Sequence, residues 1–517
     1  MKLHSLVTKI VVISAFICVI CLWLIYSIGM DAIQLNRLGD SAIFEQVVEN
    51  IWHGKGAVSN VFAATQNFID RGYVFKPLRI LDEIKLEAAS AHERDMLSFH
   101  AYYILYAIAP LLKFVSSSLA LSLIQTFCYF GMLIAASIFI FQETRSKLAS
   151  FLFLPIIFFS PNWYGGIQGW FYPDRVFLLA GFLLCYLSYR NAQWWLIALF
   201  AVFVALINER AALIGGIVLL YLPFVSFKKD KIKQHWINIL IGLILIAYAY
   251  IQKTYILSNI YYGGGYLPGS LSEFLARFLL DGFAKNTLIF MISNLAMLLV
   301  SFAKPRLAFL SIAIMFLNIA GNLGGAEKVG WVTHYHSYYF PILTFSATVG
   351  FITLYKKYLD TKLNSPIRKK IIMLFIGCLM ILITQFAYNI NKGNLPTISR
   401  ATTPFITFLD VLNNRPTGYS IRKNVAAMFP IDALVSTDEL GMALLHDRVS
   451  VDFFPVSASH ADYLFLPCNI IQSSSISGSD VGEISKIWLL KNGFESDEVI
   501  RFELIGRCLL SRTKYNR

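Results

Sequence analysis

The sequence is poor in charged residues. Asp, Glu, Lys and Arg together make up 15% of the 517 residues, whereas hydrophobic residues make up 57%. The mean hydropathy is +0.60. This composition excludes a single soluble core of that size, because too few polar residues are present to cover it. It predicts a polytopic membrane protein.

Acidic residues are the scarcer of the two charge types. The chain has 31 Asp and Glu against 44 Lys and Arg, which gives a formal net charge of +13. A basic excess can indicate nucleic-acid binding, but here the Lys and Arg are clustered in short segments between apolar runs. That distribution is typical of membrane topology, so we expect no nucleic-acid partner.

Cysteines are also few, and most lie where a thiol acts as a small hydrophobic group. Five of the seven lie in apolar runs, namely Cys18, Cys21, Cys128, Cys185 and Cys378. Only Cys468 and Cys508 lie in the polar C-terminal segment. They could form one disulfide if that segment faces an oxidising compartment.

The apolar runs predict about eleven transmembrane helices. They lie near Ile10 to Met30, Leu119 to Phe141, Leu148 to Ser160, Val176 to Tyr189, Trp195 to Ile207, Ala211 to Phe227, Ile237 to Ile256, Thr287 to Ala303, Leu307 to Asn322, Tyr338 to Tyr355 and Ile371 to Ile390. The first run has neither the short core nor the cleavage site of a signal peptide, so we expect it to be retained. The pair around Asn208 could instead be a re-entrant hairpin.

Basic residues between these runs support the count. With a cytoplasmic N-terminus, the cytoplasmic connections contain Arg145 with Lys147, Arg190, Lys228 to Lys233, Lys304 with Arg306, and Lys356 to Lys370. This distribution follows the positive-inside rule. The opposite, extracytoplasmic side then collects the candidate site residues Asp40, Glu45, His100, Tyr172, Asp174, Arg175, Glu209, Arg210, His334 and His336.

The first loop and the C-terminal segment differ from the spans. The loop, residues 31–99, contains the amphipathic stretches Ala42 to Trp52 and Leu81 to Ala91, which suit interfacial helices. We assign residues 1–390, including this loop, to a transmembrane domain and residues 391–517 to a small extracytoplasmic α/β domain. Its predicted strands are Asp432 to Ser436, Arg448 to Phe453, Ala461 to Leu466, Val499 to Ile505 and Cys508 to Arg512, and its predicted helix is Val481 to Lys491.

No nucleotide-binding glycine fingerprint, P-loop or metal-spaced Cys/His cluster occurs in the C-terminal sequence. The domain is therefore expected to dock an acceptor or support the fold rather than to carry cofactor chemistry. The strongest candidate for chemistry is Gly39 to Gln46, where two carboxylates follow a membrane helix. Acids beside hydrocarbon are costly to hold, which favours a functional reason for them.

Several segments resemble an uncharacterised family of prokaryotic polytopic membrane proteins grouped with the C-type (GT-C) glycosyltransferases. Leu38 to Gln46 is similar to its F-D-x-x-x-F-[DE]-Q opening. Further similar segments, in the same order, are Ser98 to His100 with Gln125, Phe171 to Asp174, Asn208 to Leu213 and His336 to Pro341. In the tail, they are Phe429 to Ser436, Asp447 with Arg448, Phe454 with Pro455 and Ala461 to Tyr463.

The resemblance implies a GT-C-like fold, a polyprenyl-phosphate sugar donor, and transfer of a hexosyl or pentosyl group at the extracytoplasmic face of the cell membrane. In the wider superfamily an acid in the first outer loop is catalytic, which implies that role for Asp40. The chain departs from the family pattern at Tyr172, where a histidine is usual, at Asn208, which replaces a lysine, and at Arg210, which replaces an acid. These changes argue against a metal or proton-relay role at the three positions.

The chemistry of such a transfer assigns roles to the candidates. Asp40 could accept the proton of the incoming hydroxyl as a general base. Arg210, Arg175 or the histidines could pair with the departing phosphate. Glu45 could orient the acceptor, which would be a glycan, a lipid or a protein, or could bind a divalent cation.

Each residue also has a structural explanation. Asp40 could cap the following helix, and Glu45 could lie on a solvated helix face. Glu209 and Arg210 could form an ion pair, and His100 could be an interfacial residue. His334 and His336 share the i, i+2 spacing of one strand face, but two histidines without a third ligand make a weak metal site.

The sequence leaves three functions open: a glycosyltransferase, a transporter or flippase, and a non-catalytic membrane scaffold. A glycosyltransferase predicts a polar pocket on one face of the bundle. A transporter or flippase of lipid-linked saccharides predicts charges midway along several spans. The predicted spans are almost free of such charges, which favours the enzyme.

Overall fold

The structure is a computed structural model. It describes residues 20–32, 39–63, 94–158, 160–169, 171–225, 232–257, 270–279, 283–320, 335–360, 398–413, 418–430, 433–445, 450–454, 461–468, 493–494, 500–502 and 507–512. The predicted stretches Leu81 to Ala91, Ile371 to Ile390 and Val481 to Lys491 lie outside the described residues.

By their contacts, the residues form two compact units. The helical unit comprises Met1–Ile28, Leu97–Ala107 and Leu121–Ile406, and the sheet unit comprises Gly29–Met96, Ile108–Ala120 and Thr407–Arg517. The sequence placed residues 31–99 with the transmembrane part. By contacts, the described residues of Gly29–Met96 group with those of Ile108–Ala120 and Thr407–Arg517, and the domain division stays a prediction.

The described helices lie both at the predicted apolar runs and between them. In chain order they are α1 Ile20–Ala32, α2 Gly39–Trp52, α3 Ile104–Ile108, α4 Ser117–Thr144, α5 Lys147–Phe158, α6 Pro161–Tyr164, α7 Val176–Tyr189, α8 Trp194–Ile207, α9 Glu209–Val225, α10 Ile232–Ile251, α11 Leu271–Leu279, α12 Phe283–Ser301, α13 Pro305–Ala320, α14 His336–Leu354, α15 Ile398–Leu412, α16 Gly418–Ala426 and α17 Glu439–Leu445. Two π-helical turns, Gln252–Ile256 and Tyr355–Asp360, extend α10 and α14. A helix therefore lies at every predicted span that falls within the described residues.

Length separates these helices into two groups. Within the described part of the chain, three are long and apolar enough to cross a membrane, namely Ser117–Thr144, Ile232–Ile256 and His336–Lys357. Other apolar helices, such as Lys147–Phe158 and Trp194–Ile207, are shorter. The mostly helical architecture agrees with the sequence analysis, and the number of eleven crossings stays a prediction.

The core of the helical unit is built around α14. Every described position from His336 to Ile352 in this helix is buried. A helix that is buried on all sides lies inside a packed bundle, and α14 packs against α7, α12 and α13. The closest approach is at Gly350, where an added Cβ would overlap the backbone of Val300 in α12.

The sheet unit contains a five-stranded mixed sheet. Its strands are β3 Leu434–Thr437, β4 Ser450–Phe453, β5 Tyr463–Pro467, β6 Ile500–Phe502 and β7 Arg507–Ser511. Across the sheet the strands lie in the order β4-β3-β5-β7-β6. Strand β3 pairs in parallel with β4 and β5, whereas β7 is antiparallel to β5 and β6. Alternating apolar residues predicted all five strands, and the structure confirms the small sheet domain. A separate two-stranded ladder joins β1 Val58–Ser59 to β2 Arg94–Asp95.

A disulfide joins Cys468, which follows β5, to Cys508 on β7. These are the two cysteines of the polar segment, the pair that the sequence offered for a bridge. Cys508 is fully buried. The bond therefore links two neighbouring strands within the interior of the sheet domain.

The contact at Gly350 gives a stability prediction. Gly350→Ala would push a methyl group into the Val300 carbonyl, and backbone cannot yield as a side chain can, so we expect a loss of about 1–3 kcal/mol or more. Thermal unfolding of the purified protein in detergent measures it. The matched control is Gly131→Ala, whose Cβ would meet only the flexible end of the Leu179 side chain. Equal melting temperatures for the two variants would contradict the packing argument.

Candidate functional site

Asp174 is the centre of a buried hydrogen-bond cluster in the helical unit. Pro173 starts the single 3-10 turn Pro173–Arg175 that precedes α7 and places the Asp174 side chain in the interior with no exposed surface. Tyr102 Oη donates to Asp174 Oδ2 at 3.0 Å. Asn208 Nδ2 and Tyr338 Oη both donate to Oδ1. Both carboxylate oxygens are thus hydrogen-bonded, which is what a buried carboxylate requires.

Asn208 has two roles in this cluster. It lies between α8 and α9 in fully extended backbone, with φ −176° and ψ 176°. Its side-chain oxygen accepts the backbone N–H of Ala211 at 2.7 Å, which caps α9. Its amide nitrogen donates to Asp174 and, at 3.0 Å, to Tyr338 Oη. An amide suits this position because it carries an acceptor and a donor on one short side chain.

Glu209 begins α9 and pairs with His100. Glu209 Oε1 lies 2.8 Å from His100 Nδ1, and Oε2 accepts the backbone N–H of Ala101 at 3.1 Å. Both side chains are buried. The carboxylate also lies in the first turn of its helix, where the helix dipole favours a negative charge. This contact joins two residues that are 109 positions apart in the sequence.

Arg175 and His336 belong to a second contact group beside Tyr129. Arg175 donates to the backbone carbonyl of Gly166, and its guanidinium lies 6.0 Å from the centroid of the Tyr129 ring. Tyr129 Oη lies 2.5 Å from His336 Nε2. A Cβ at Gly166 would overlap both Tyr129 and His336, so only glycine fits there without a shift. Arg175 is fully buried and His336 nearly so.

The two remaining described candidates of the helical unit lie beside these groups. Tyr172 is buried in extended backbone immediately before Pro173. Arg210 is half-buried, and its guanidinium lies 5.8 Å from the centroid of the Tyr335 ring. His334 lies outside the described residues. Among the residues that the structure describes, no group of three or more His, Cys, Asp and Glu side chains could hold a metal ion.

Burial dominates the electrostatics of Asp174. Removal from water raises the pKa of its carboxyl group above the usual value, and the positive charge of Arg210 offsets part of this effect. The hydrogen bond from Tyr102 acts in the same direction as Arg210. The cluster therefore holds an acid whose charged form is disfavoured relative to water.

In the sheet unit, Glu45 forms a buried ion pair. Glu45 Oε2 lies 2.7 Å from Arg422 Nη1 of α16, and the two side chains are 1% and 8% exposed. The two residues are 377 positions apart in sequence. Asp40 is the second residue of α2, and the surroundings of its side chain lie outside the described residues. The solvated face that the sequence allowed for Glu45 is excluded by its burial.

Other polar residues of α2 also have specific partners within the sheet unit. Gln46 Oε1 accepts a hydrogen bond from Ser59 Oγ at 2.6 Å and from the backbone N–H of Asn60 at 3.0 Å. Glu49 Oε1 accepts one from Ser117 Oγ at 2.5 Å. These contacts fix the rotation of α2 about its axis.

A family profile described as "Predicted membrane protein (DUF2079)" matches residues 34–474. The chain belongs to this family. The match includes α2 and extends through β5 and the first half of the disulfide, so it spans both units of this DUF2079 protein.

Other comparisons add little to the family assignment. No curated protein matches the DUF2079 chain. Among solved structures, the chain is similar to ArnT from Cupriavidus metallidurans, crystallised with undecaprenyl phosphate. The identity is 11%, the alignment covers 97% of this chain and 98% of that one, and the TM-score is 0.46.

Sequence reasoning found some members of the cluster and missed others. His100, Asp174, Arg175, Glu209 and His336 were predicted and lie in the two contact groups. Tyr102 and Tyr129 were missed, since single tyrosines in apolar sequence carry no signal of their own. Tyr338 and Asn208 stood in segments that resemble the family, but they were not predicted to contact Asp174.

The raised pKa of Asp174 predicts a pH-dependent stability. A group whose folded pKa is raised stabilises fully below its unfolded pKa, near 3.9 for Asp, and that stability is lost as the pH rises through the folded pKa. In that window the slope reaches about 1.4 kcal/mol per pH unit. Asp174→Asn should remove this slope. Thermal unfolding from pH 4 upward measures it.

The control for this experiment is Asp95→Asn, because Asp95 is exposed. Its unfolding temperature should follow the wild-type pH profile. If the profiles of Asp174→Asn and wild type run parallel, the assignment of the slope to Asp174 is wrong.

The Glu45–Arg422 pair gives a prediction for the sheet unit. Removing one partner leaves a buried charge uncompensated, so Glu45→Ala or Arg422→Ala should each destabilise by about 3–5 kcal/mol. The double change Glu45→Leu with Arg422→Met removes both charges and should be closer to wild type. Limited proteolysis during heating measures the loss. Lys423→Ala is the control, because Lys423 is the exposed neighbour of Arg422, and a single variant as stable as that control would contradict the prediction.

Proposed function

We propose that this protein is a membrane glycosyltransferase of the C type. It transfers a hexosyl or pentosyl group from a polyprenyl-phosphate donor to a glycan, lipid or protein acceptor at the extracytoplasmic face of the cell membrane. In this proposal the N-terminus is cytoplasmic, the sheet domain is extracytoplasmic, and Asp40 is the general base. The family likeness on which the proposal rests begins at the segment that contains Asp40.

The observation that carries the proposal is the buried cluster around Asp174. Ionisable groups buried among apolar helices are expensive to hold and are functional by default. Here an aspartate, a glutamate, two histidines and an arginine lie buried in one helical unit. They come from sequence segments that the family resemblance had singled out separately, which supports a shared role.

The proposed reaction moves one sugar between two oxygen atoms. An acceptor hydroxyl oxygen forms a bond to the anomeric carbon of the sugar while the bond from that carbon to the phosphate oxygen breaks. Asp40 takes the hydroxyl proton, and the polyprenyl phosphate leaves with the bonding electron pair. A positioned general base contributes about 10²–10⁴-fold to such a step.

Of the two arginines considered for the leaving phosphate, Arg210 suits the role better. Arg175 is fully buried and already donates to the Gly166 carbonyl. Arg210 is less buried than Arg175, and its guanidinium lies 5.8 Å from the centroid of the Tyr335 ring. A guanidinium can bind phosphate oxygens through two parallel hydrogen bonds. We therefore assign the phosphate to Arg210 and leave Arg175 as a residue that holds the Gly166 turn.

Glu45 takes a different role from the one expected of it. A divalent cation or an acceptor at Glu45 would have to displace Arg422, to which Glu45 is bound in a buried ion pair. We propose that Glu45 is a positioning residue that fixes α2, the helix on which Asp40 lies. The catalytic role in this segment then falls to Asp40 alone.

The proposal is tested by transfer in liposomes that contain the purified protein, radiolabelled polyprenyl-phosphate sugars and candidate acceptors. Wild type should form a labelled product with a new glycosidic bond. Asp40→Asn should lower the rate by about 10²–10⁴-fold, since the amide cannot accept the proton. Asp95→Asn, which changes an exposed acid in the same unit, should leave the rate unchanged.

Each other outcome counts against part of the proposal. Equal rates for wild type and Asp40→Asn would remove Asp40 from the mechanism. Label that crosses the bilayer without a new glycosidic bond would identify a flippase instead. Absence of transfer from every donor tested would reject the glycosyltransferase.

A further inference from the structure

A large basic cavity lies in the helical unit at the C-terminal ends of α7 and α14, the two helices that begin beside the Asp174 cluster. Its volume is about 930 Å³. Four cationic side chains, one carboxylate and several apolar residues line it: Arg190, Lys304, Lys356, Lys357, Glu143, Phe139, Tyr189, Val225, Val349, Ile352 and Thr353. Its residues come from α4, α7, α9 and α14 and from the start of α13.

Positive side chains outnumber negative ones among the described residues that line this cavity. Four of these side chains are cationic and one is a carboxylate. Glu143 Oε2 lies 2.6 Å from Lys356 Nζ, and Glu143 Oε1 pairs with Arg190 Nη1. The carboxylate therefore holds two of the cationic groups at the cavity wall and neutralises the equivalent of one.

Helix dipoles explain only part of this arrangement. Arg190 follows the last residue of α7, and Lys356 and Lys357 lie in the π-helical turn that ends α14. The partial negative charge at a helix C-terminus favours cations there. Lys304 instead precedes Pro305 at the N-terminus of α13, where a cation is unfavourable. An anion in the cavity would compensate Lys304 and the helix dipole together.

The apolar wall of the cavity indicates which class of anion would fit. Phe139, Val225, Val349 and Ile352 line the same cavity as the cations. A small hydrophilic anion would use only the charged part, whereas a phosphate headgroup with attached acyl chains would contact both parts. Basic pockets between membrane helices are suited to such headgroups.

We propose that this cavity is a binding site for the phosphate headgroup of an anionic phospholipid. Lys304 and Lys357 bind the phosphate oxygens, Arg190 and Lys356 add positive charge from their pairs with Glu143, and the apolar wall receives the start of an acyl chain. The proposal does not depend on the glycosyltransferase reaction.

The test compares lipid binding by native mass spectrometry and by quenching of tryptophan fluorescence with brominated lipids. Wild type should retain phosphatidylglycerol in preference to phosphatidylcholine at one saturable site. The double variant Lys304→Gln with Lys357→Gln leaves both Glu143 ion pairs in place. Its Kd for phosphatidylglycerol should be more than tenfold higher than that of wild type, because each removed cation raises the Kd roughly fivefold.

The matched control is Lys147→Gln with Lys233→Gln. These lysines are exposed and do not line the cavity, so the control loses the same net charge and should bind like wild type. If both double variants lose phosphatidylglycerol binding equally, the loss follows from net surface charge and the proposal is overturned.

Two further competition experiments test whether the cavity binds a phospholipid or free phosphate. Glycerol phosphate or inorganic phosphate should displace the lipid only at much higher concentration, because neither contacts the apolar wall. If inorganic phosphate binds as tightly as phosphatidylglycerol, or if phosphatidylcholine binds equally well, the lipid site is rejected. The thermal unfolding temperature of each variant in detergent confirms that it is folded.

Discussion

A carboxylate inside an apolar helical bundle must be surrounded by donors, and Asp174 imposes this requirement on the helical unit. Tyr102, Asn208 and Tyr338 each donate to it, and each belongs to a different part of the chain. The requirement fixes where α9 begins, because Asn208 caps that helix with the same side chain. It also fixes the rotation of α14 through Tyr338.

Close backbone approach is the second constraint, and it makes the polar contacts possible. Gly350 brings α14 against the backbone of α12, and Gly166 leaves room for Tyr129 and His336 to meet. Glycine at these positions is required by space rather than by backbone conformation. A bundle packed this tightly holds its polar groups in one arrangement, which suits a site that must be preorganised.

The sheet unit follows the same rule with different groups. Glu45 and Arg422 join α2 to α16 by a buried ion pair, while Gln46 and Glu49 bind neighbouring segments of the unit. The disulfide between Cys468 and Cys508 links neighbouring strands of its sheet. By their contacts, the segment that follows the first apolar helix and the C-terminal residues thus belong to one unit.

The sequence by itself determined the elements. Apolar runs located the helices that coincide with the predicted spans, and alternation located all five strands of the sheet, since both signals are local. The sequence also identified acids and histidines near the apolar runs, where ionisable groups are costly to hold. Only the tertiary structure decided their partners: His100 bonds Glu209 across 109 residues, Tyr129 meets His336 across 207, and Glu45 meets Arg422 across 377. Hydropathy reports whether a residue is buried, but the group it faces depends on how helices and strands pack, which no local pattern contains.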